Sequence, residues 1–118
     1  MSETKTADIT PLANIMARLR DPDGGCPWDL EQNHKSLKPY VIEEAYEVVD
    51  AIEFTPEKLH EELGDLLLQV VFHAQISREK KEFDLADVID RSHEKMVRRH
   101  PHISANADLK TAEDVLKN

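Results

Sequence analysis

A chain of 118 residues is long enough for one domain with its own core, yet short enough that a second copy would help to cover it. Its net charge of −9 opposes general nucleic-acid binding, which needs a basic surface, and three glycines leave little turn chemistry for a β-rich fold. The 40% hydrophobic content is ordinary for a globular protein, while 33% charged residues and 5% aromatics suit exposed helices. Cys26 is the single cysteine, which rules out an internal disulfide and fits a reducing cytoplasm. Met1 to Thr10 is polar without the apolar core of a signal peptide. The longest apolar runs, Leu66–Leu68 and Val70–Phe72, are far too short to span a membrane. The expectation is a cytoplasmic all-α protein, one domain over residues 1–118, with no membrane or nucleic-acid partner.

In chain order, residues 1–8 read as frayed. Thr10 is then expected to cap a first helix, with Pro11 at its first position and Leu12, Ile15, Met16 and Leu19 as its apolar stripe. Asp21-Pro22-Asp23-Gly24-Gly25 ends that helix near Arg20 and opens a loop that should continue through Asp29. Ser36 is expected to cap a second helix running to about Phe54, with Pro39 in its first turn. Thr55-Pro56-Glu57 opens a third, extending to about Lys81. Its middle is apolar almost all round, so it needs partners on several sides, as in a bundle or a buried dimer interface. Asp84 is expected to cap a fourth helix ending near Arg99, before Pro101. Thr111 opens a last short segment through Leu116, and residues 104–118 are expected to be weakly ordered.

Two carboxylate clusters stand out, Glu43-Glu44-Ala45-Tyr46-Glu47 and Glu62-Leu63-Gly64-Asp65. A helix turns about 100° per residue, so Glu44 and Glu47 lie within about 60° of each other, as do Glu62 and Asp65. Leu37, Val41, Val48 and Ala51 fall on the Glu44 side, and Leu59, Leu66 and Ile76 on the Glu62 side. Carboxylates that face a core repel one another and lose hydration unless a proton or a cation neutralises them. The break near Thr55 lies eight positions after Glu47 and seven before Glu62, so a helical hairpin brings the clusters to one height. An all-oxygen donor set suits Mg²⁺, with Mn²⁺ as the alternative ion. The competing reading is a solvated acidic face, which the apolar residues sharing that face oppose.

Other metal chemistry is poorly supported. There is no His-Glu-x-x-His motif and no cysteine pair for zinc, and neither acidic cluster carries the Glu-x-x-His of a di-iron bundle. His73 shares the Glu62 face but lies about 16 Å along the helix axis from it. The other charged feature is basic: Arg91, Lys95, Arg98 and Arg99 crowd one helix end, with Lys95 and Arg99 four residues apart. Favourable contact with the helix dipole accounts for one or two of those charges. The full set suits a phosphate ester held through a divalent metal.

Taken together, Gly25-Cys26-Pro27-Trp28-Asp29, Glu43-Glu44-x-x-Glu47, Glu61-Glu62-Leu63-Gly64-Asp65 and Arg98-Arg99-His100-Pro101-His102 resemble the MazG nucleoside triphosphate pyrophosphohydrolases. The likeness runs from about Leu12 to Ile103 and is nearest to the N-terminal domain of two-domain members. It implies a four-helix-bundle-like domain with antiparallel helices, assembled as a homodimer or a higher homo-oligomer. It also implies Mg²⁺-dependent hydrolysis of a nucleoside triphosphate to the monophosphate and pyrophosphate. Glu44, Glu47, Glu62 and Asp65 would hold the metal, and Glu43 or Glu47 would orient the attacking water. Lys95, Arg98 and Arg99 would hold the triphosphate. Trp28 matches a tryptophan near the nucleotide pocket, with core packing as the alternative role. The alternative function is a non-catalytic helical module for nucleotide binding, dimerisation or regulation. Relatives continue past Asn118 with a tryptophan-bearing helix, so this chain represents either a one-domain form or a fragment.

Overall fold

The computed structural model describes residues 5–104 and Leu116, and all regular structure among them is helical. The expected cap at Thr111 lies outside the described residues. Two compact units divide the chain, Met1–Asp84 and Leu85–Asn118.

In the first unit, α1 spans Thr10–Leu19 and buries Met16. Thr10 is its first residue rather than its cap: Ile9 precedes it, and the Asp8 carboxylate accepts the Thr10 N–H at 3.0 Å. The glycine turn follows. Gly25 is confined there, because a Cβ would meet the backbone carbonyls of Asp21 and Leu19. The expected loop through Asp29 instead contains α2, Pro27–Glu31, started by a proline whose missing N–H would be unpaired there anyway.

The helix α3, His34–Phe54, begins two residues earlier than its expected cap. Asn33 caps it by accepting the Ser36 N–H at 2.8 Å, and the Ser36 hydroxyl accepts the Asn33 N–H at 2.9 Å. Ser36 therefore completes the cap from inside the helix. Pro39 consequently lies deeper than the first turn. After Thr55 a short 3₁₀ turn, Pro56–Lys58, leads into α4, Leu59–Glu79. It ends two residues before Lys81, which takes a positive φ of 60°.

These helices make an antiparallel hairpin. The start of α3 meets the end of α4, where His34 touches His73 and Ser77. Ten residues on, Glu44 meets Glu62 and Asp65. The hairpin closes around Leu37 and Ala51 of α3 and Phe72 and Ile76 of α4, and α1 adds Met16 against α4. The apolar middle of α4 is only partly covered within one chain. Leu63, Leu67 and Val70 of α4, and Ile42, Tyr46 and Val49 of α3, are between 40 and 67% exposed. Each trio repeats at i, i+4, i+7, forming a stripe on the side of its helix turned away from the hairpin contact.

Arg20 ties α1 to the rest. Its guanidinium makes two bonds to the Glu79 carboxylate, at 2.8 and 2.9 Å, and donates to the carbonyls of Asp29 and Gln32. That bonding holds the Glu79 carboxyl below the usual glutamate range. The pair therefore adds stability at neutral pH that is lost as the pH falls through the lowered value. Arg20→Met is expected to cost about 2 kcal/mol at pH 7, since it removes the donor of two part-buried carbonyls and leaves the Glu79 carboxylate to Gln75 and water. Urea denaturation checks this; a loss under about 1 kcal/mol would mean that water replaces the bonds freely.

In the second unit, α5 spans Leu85–Arg99, directly after Asp84 as expected. A four-residue helix, α6, Pro101–Ser104, follows it. The His100 ring Nδ1 bonds the Met96 carbonyl at 2.7 Å, closing the end of α5.

Candidate metal centre

The hairpin brings together Glu44 of α3 with Glu62 and Asp65 of α4. Each offers one carboxylate oxygen, and the three oxygens lie within 4.8 Å of one another. Ligands on opposite sides of a Mg²⁺ ion stand about 4.2 Å apart, so a small rotamer change closes the set on one ion. Glu44 and Glu62 are half-buried and Asp65 is exposed, which leaves an open side for a ligand.

The electrostatics mark the three as an uncompensated cluster. Loss of hydration raises the Glu44 carboxyl above its ordinary value, and the charges of Asp65, Glu43, Glu62 and Glu47 add to the effect. Glu62 is raised in the same way, by desolvation and then by Glu47, Asp65 and Glu61, with Lys58 opposing weakly. Among the described residues no lysine or arginine forms an ion pair with these carboxylates, whereas the acid group at Glu79 has its arginine. A donor set of hard oxygens, repelling one another and without an ion-pair partner among the described residues, fits a hard divalent cation.

Glu47, the fourth expected ligand, is the leading charge that raises Glu62. It is exposed and stands outside the group of three, although its charge acts on both Glu44 and Glu62. The face of α3 turned to α4 is centred on Leu37, Val41, Glu44, Val48 and Ala51, and Glu47 lies round the helix from that line. Glu43 is exposed and close enough for its charge to act on Glu44. Lys95, Arg98 and Arg99 share α5 in the second unit and are exposed. Trp28, on α2, packs edge-on against Phe72 at 6.4 Å and Tyr40 at 5.7 Å between ring centroids, and about half of it stays exposed. The packing role is thus present, and Tyr40 lies one turn of α3 before Glu44.

Gln69 is not singled out by the sequence pattern. It sits one turn along α4 from Asp65, and its amide oxygen is buried with no hydrogen-bond partner. Glutamine in an apolar run carries no spacing signal, so only the register of the hairpin reveals it.

Residues 32–104 match the family model for the MazG nucleotide pyrophosphohydrolase domain, a stretch that runs across both units. The chain is 57% identical over 93 residues to the nucleoside triphosphate pyrophosphohydrolase/pyrophosphatase MazG of Thermotoga maritima, covering 78% of this chain and 36% of that protein. It is 48% identical over 109 residues to the nucleoside triphosphate pyrophosphohydrolase of Escherichia coli K12, covering 92% of this chain and 41% of that protein. An uncharacterized protein, YabN of Bacillus subtilis, is 47% identical over 112 residues, covering 94% of this chain and 23% of its own length. The chain therefore spans well under half the length of these curated relatives. No helix among the described residues is long and apolar enough to cross a membrane. With a matched model over most of the chain and an acidic hairpin cluster at its centre, the chain belongs to the MazG nucleotide pyrophosphohydrolase domain family.

Proposed function

We propose that this domain hydrolyses nucleoside triphosphates to the monophosphate and pyrophosphate with Mg²⁺ bound at Glu44, Glu62 and Asp65. The observation that carries the reading is the convergence of those three carboxylates with no ion-pair partner among the described residues. The relatives' names supply the reaction class. A bound divalent ion would neutralise the triphosphate and lower the pKa of a coordinated water. The protein's own residues do the rest. Glu47 completes the acidic rim or, with Glu43, accepts the proton of the attacking water. That water adds to the α-phosphorus, the bond from this phosphorus to the bridging oxygen breaks, and pyrophosphate leaves with the electron pair. Lys95, Arg98 and Arg99 of α5 are the cations we propose for binding the triphosphate, from this chain or from a second copy. Mn²⁺ is an alternative ion for the same oxygen donors.

Pyrophosphate release from a panel of ribo- and deoxyribonucleoside triphosphates, with and without Mg²⁺, tests this directly. Release that requires the metal is the expected result. Silence with every nucleotide would leave a non-catalytic binding or dimerisation module.

The assembly we propose is a homodimer or higher homo-oligomer. The stripes Ile42, Tyr46, Val49 and Leu63, Leu67, Val70 each leave three large apolar side chains 40 to 67% exposed along one side of a helix, the kind of surface that soluble proteins usually cover. A symmetric copy offering the same stripes would cover them. Sedimentation equilibrium at micromolar concentration is expected to give at least twice the 13.5 kDa chain mass. A clean monomer would refute the assembly.

A further inference from the structure

The open end of the α3–α4 hairpin is closed by two histidines. His34, the first residue of α3, places its Nδ1 2.7 Å from the Nδ1 of His73 on α4. Its other nitrogen, Nε2, lies 3.0 Å from the hydroxyl oxygen of Ser77, which is 1% exposed. The ring planes differ by only 6°, with 5.0 Å between centroids. A nitrogen–nitrogen distance far shorter than the centroid distance means that the rings meet edge to edge through those nitrogens. Each nitrogen points its lone pair, or its proton, at the other.

Such a contact can hold one proton and only one. In the neutral pair, one Nδ1–H donates to the other Nδ1, and the Ser77 hydroxyl adapts to whichever form His34 Nε2 takes. Adding one proton to a free Nε2 leaves the shared bond intact and makes it charge-assisted. Adding a second puts a hydrogen on both facing nitrogens, and two donors then abut at 2.7 Å. We propose that His34 and His73 form an acid-sensitive latch on the hairpin, closed by one shared proton and opened by the second.

The surroundings offer nothing to relieve that conflict. Arg20 and Glu79 neutralise each other. At this end of the packed elements the other charged groups are Arg18 of α1, Asp29 and Glu31 of α2, Lys35 and Lys38 of α3, and Arg78 of α4; the remaining acidic groups of α3 and α4 lie from Glu43 and Asp65 toward the Thr55 break. None of them shifts His73, which is lowered by burial first and by His34 second. The unfolded chain thus takes up more protons than the folded one below about pH 6.5, so stability falls as the pH falls through that range. The latch stands apart from the proposed metal ligands and does not depend on the catalytic reading.

Urea unfolding of the wild type and of His73→Gln at pH 7.5, 6.5 and 5.5 tests it. Glutamine retains a partner for His34 but cannot take a proton. The wild-type unfolding constant is expected to rise about five- to tenfold more than the variant's over the unit below pH 6.5. Equal pH dependence in the two would overturn the proposal. Should the variant fail to fold, nitrogen and carbon resonances of the wild-type imidazoles decide. One proton taken up in the folded state, and the second only on unfolding, supports the latch; two independent titrations in an intact fold refute it.

Discussion

Replacing Asp65 with asparagine, or Glu44 with glutamine, is expected to cut Mg²⁺-dependent pyrophosphate release by at least about a hundredfold and to remove any Mg²⁺-dependent rise in melting temperature. The helices should stay formed, because Asp65 is exposed and Glu44 makes no hydrogen bond that the substitution would strand. Without metal, the asparagine variant is expected to be the more stable protein at pH 7. Asp65 is the leading charge that raises Glu44, and it acts on Glu62 as well. Carboxyls raised by folding bind protons more tightly in the native state than in the unfolded chain. The wild type therefore loses stability as the pH rises from the ordinary glutamate range through their raised values. Removing one charge narrows that window, so the gap between variant and wild type should close on acidification toward pH 4.5. Saturating Mg²⁺ should reverse the order: at a hundred times the dissociation constant it stabilises the wild type by about 2.7 kcal/mol. A pyrophosphate-release assay measures the loss of activity, and thermal melts with and without Mg²⁺ measure the stability differences. A wild type with no Mg²⁺-dependent rise would mean that the cluster does not hold the metal.

Helical periodicity alone makes this cluster legible, and the reason is geometric. The hairpin needs only two amphipathic helices and a short break, and Thr55-Pro56 supplies the break. Glu44 lies eleven positions before Thr55 and Asp65 ten after it, which brings the two level, with Glu62 one turn nearer the break. The same reasoning does not separate Glu44 from Glu47, because one turn spreads side chains across about 60° and only packing decides which of them faces the partner helix. Caps are less legible. Asn33 and Ser36 both have the chemistry, and choosing between them depends on where the preceding chain arrives, which the Arg20 bonds to the carbonyls of Asp29 and Gln32 set. The helix at Pro27–Glu31 has few residues and little periodicity, so a loop is the natural expectation there. The register that pairs Glu44 with Asp65 carries His34 to a point between His73 and Ser77, yet a histidine in isolation gives no sign of its partner.

The remaining large effect concerns the cations. Lys95→Ala and Arg99→Ala are each expected to weaken nucleotide binding about tenfold to a hundredfold, with Mg²⁺ affinity of the free protein unchanged. A charge-assisted hydrogen bond to phosphate is worth about 1.5–3 kcal/mol, and each factor of ten in affinity corresponds to about 1.4 kcal/mol. Both side chains are exposed on α5 and four residues apart, so one face of the helix presents both. Stability should change little, since replacing an exposed cation near the end of a helix alters only the dipole interaction, about 0.3–1 kcal/mol. A loss of affinity much larger than the loss of stability therefore separates a phosphate contact from helix-end electrostatics. Titration calorimetry with a non-hydrolysable triphosphate in Mg²⁺ measures the first, and urea denaturation the second. Binding that survives both substitutions would confine these residues to the helix end, and the triphosphate would need its cations from elsewhere in the assembly.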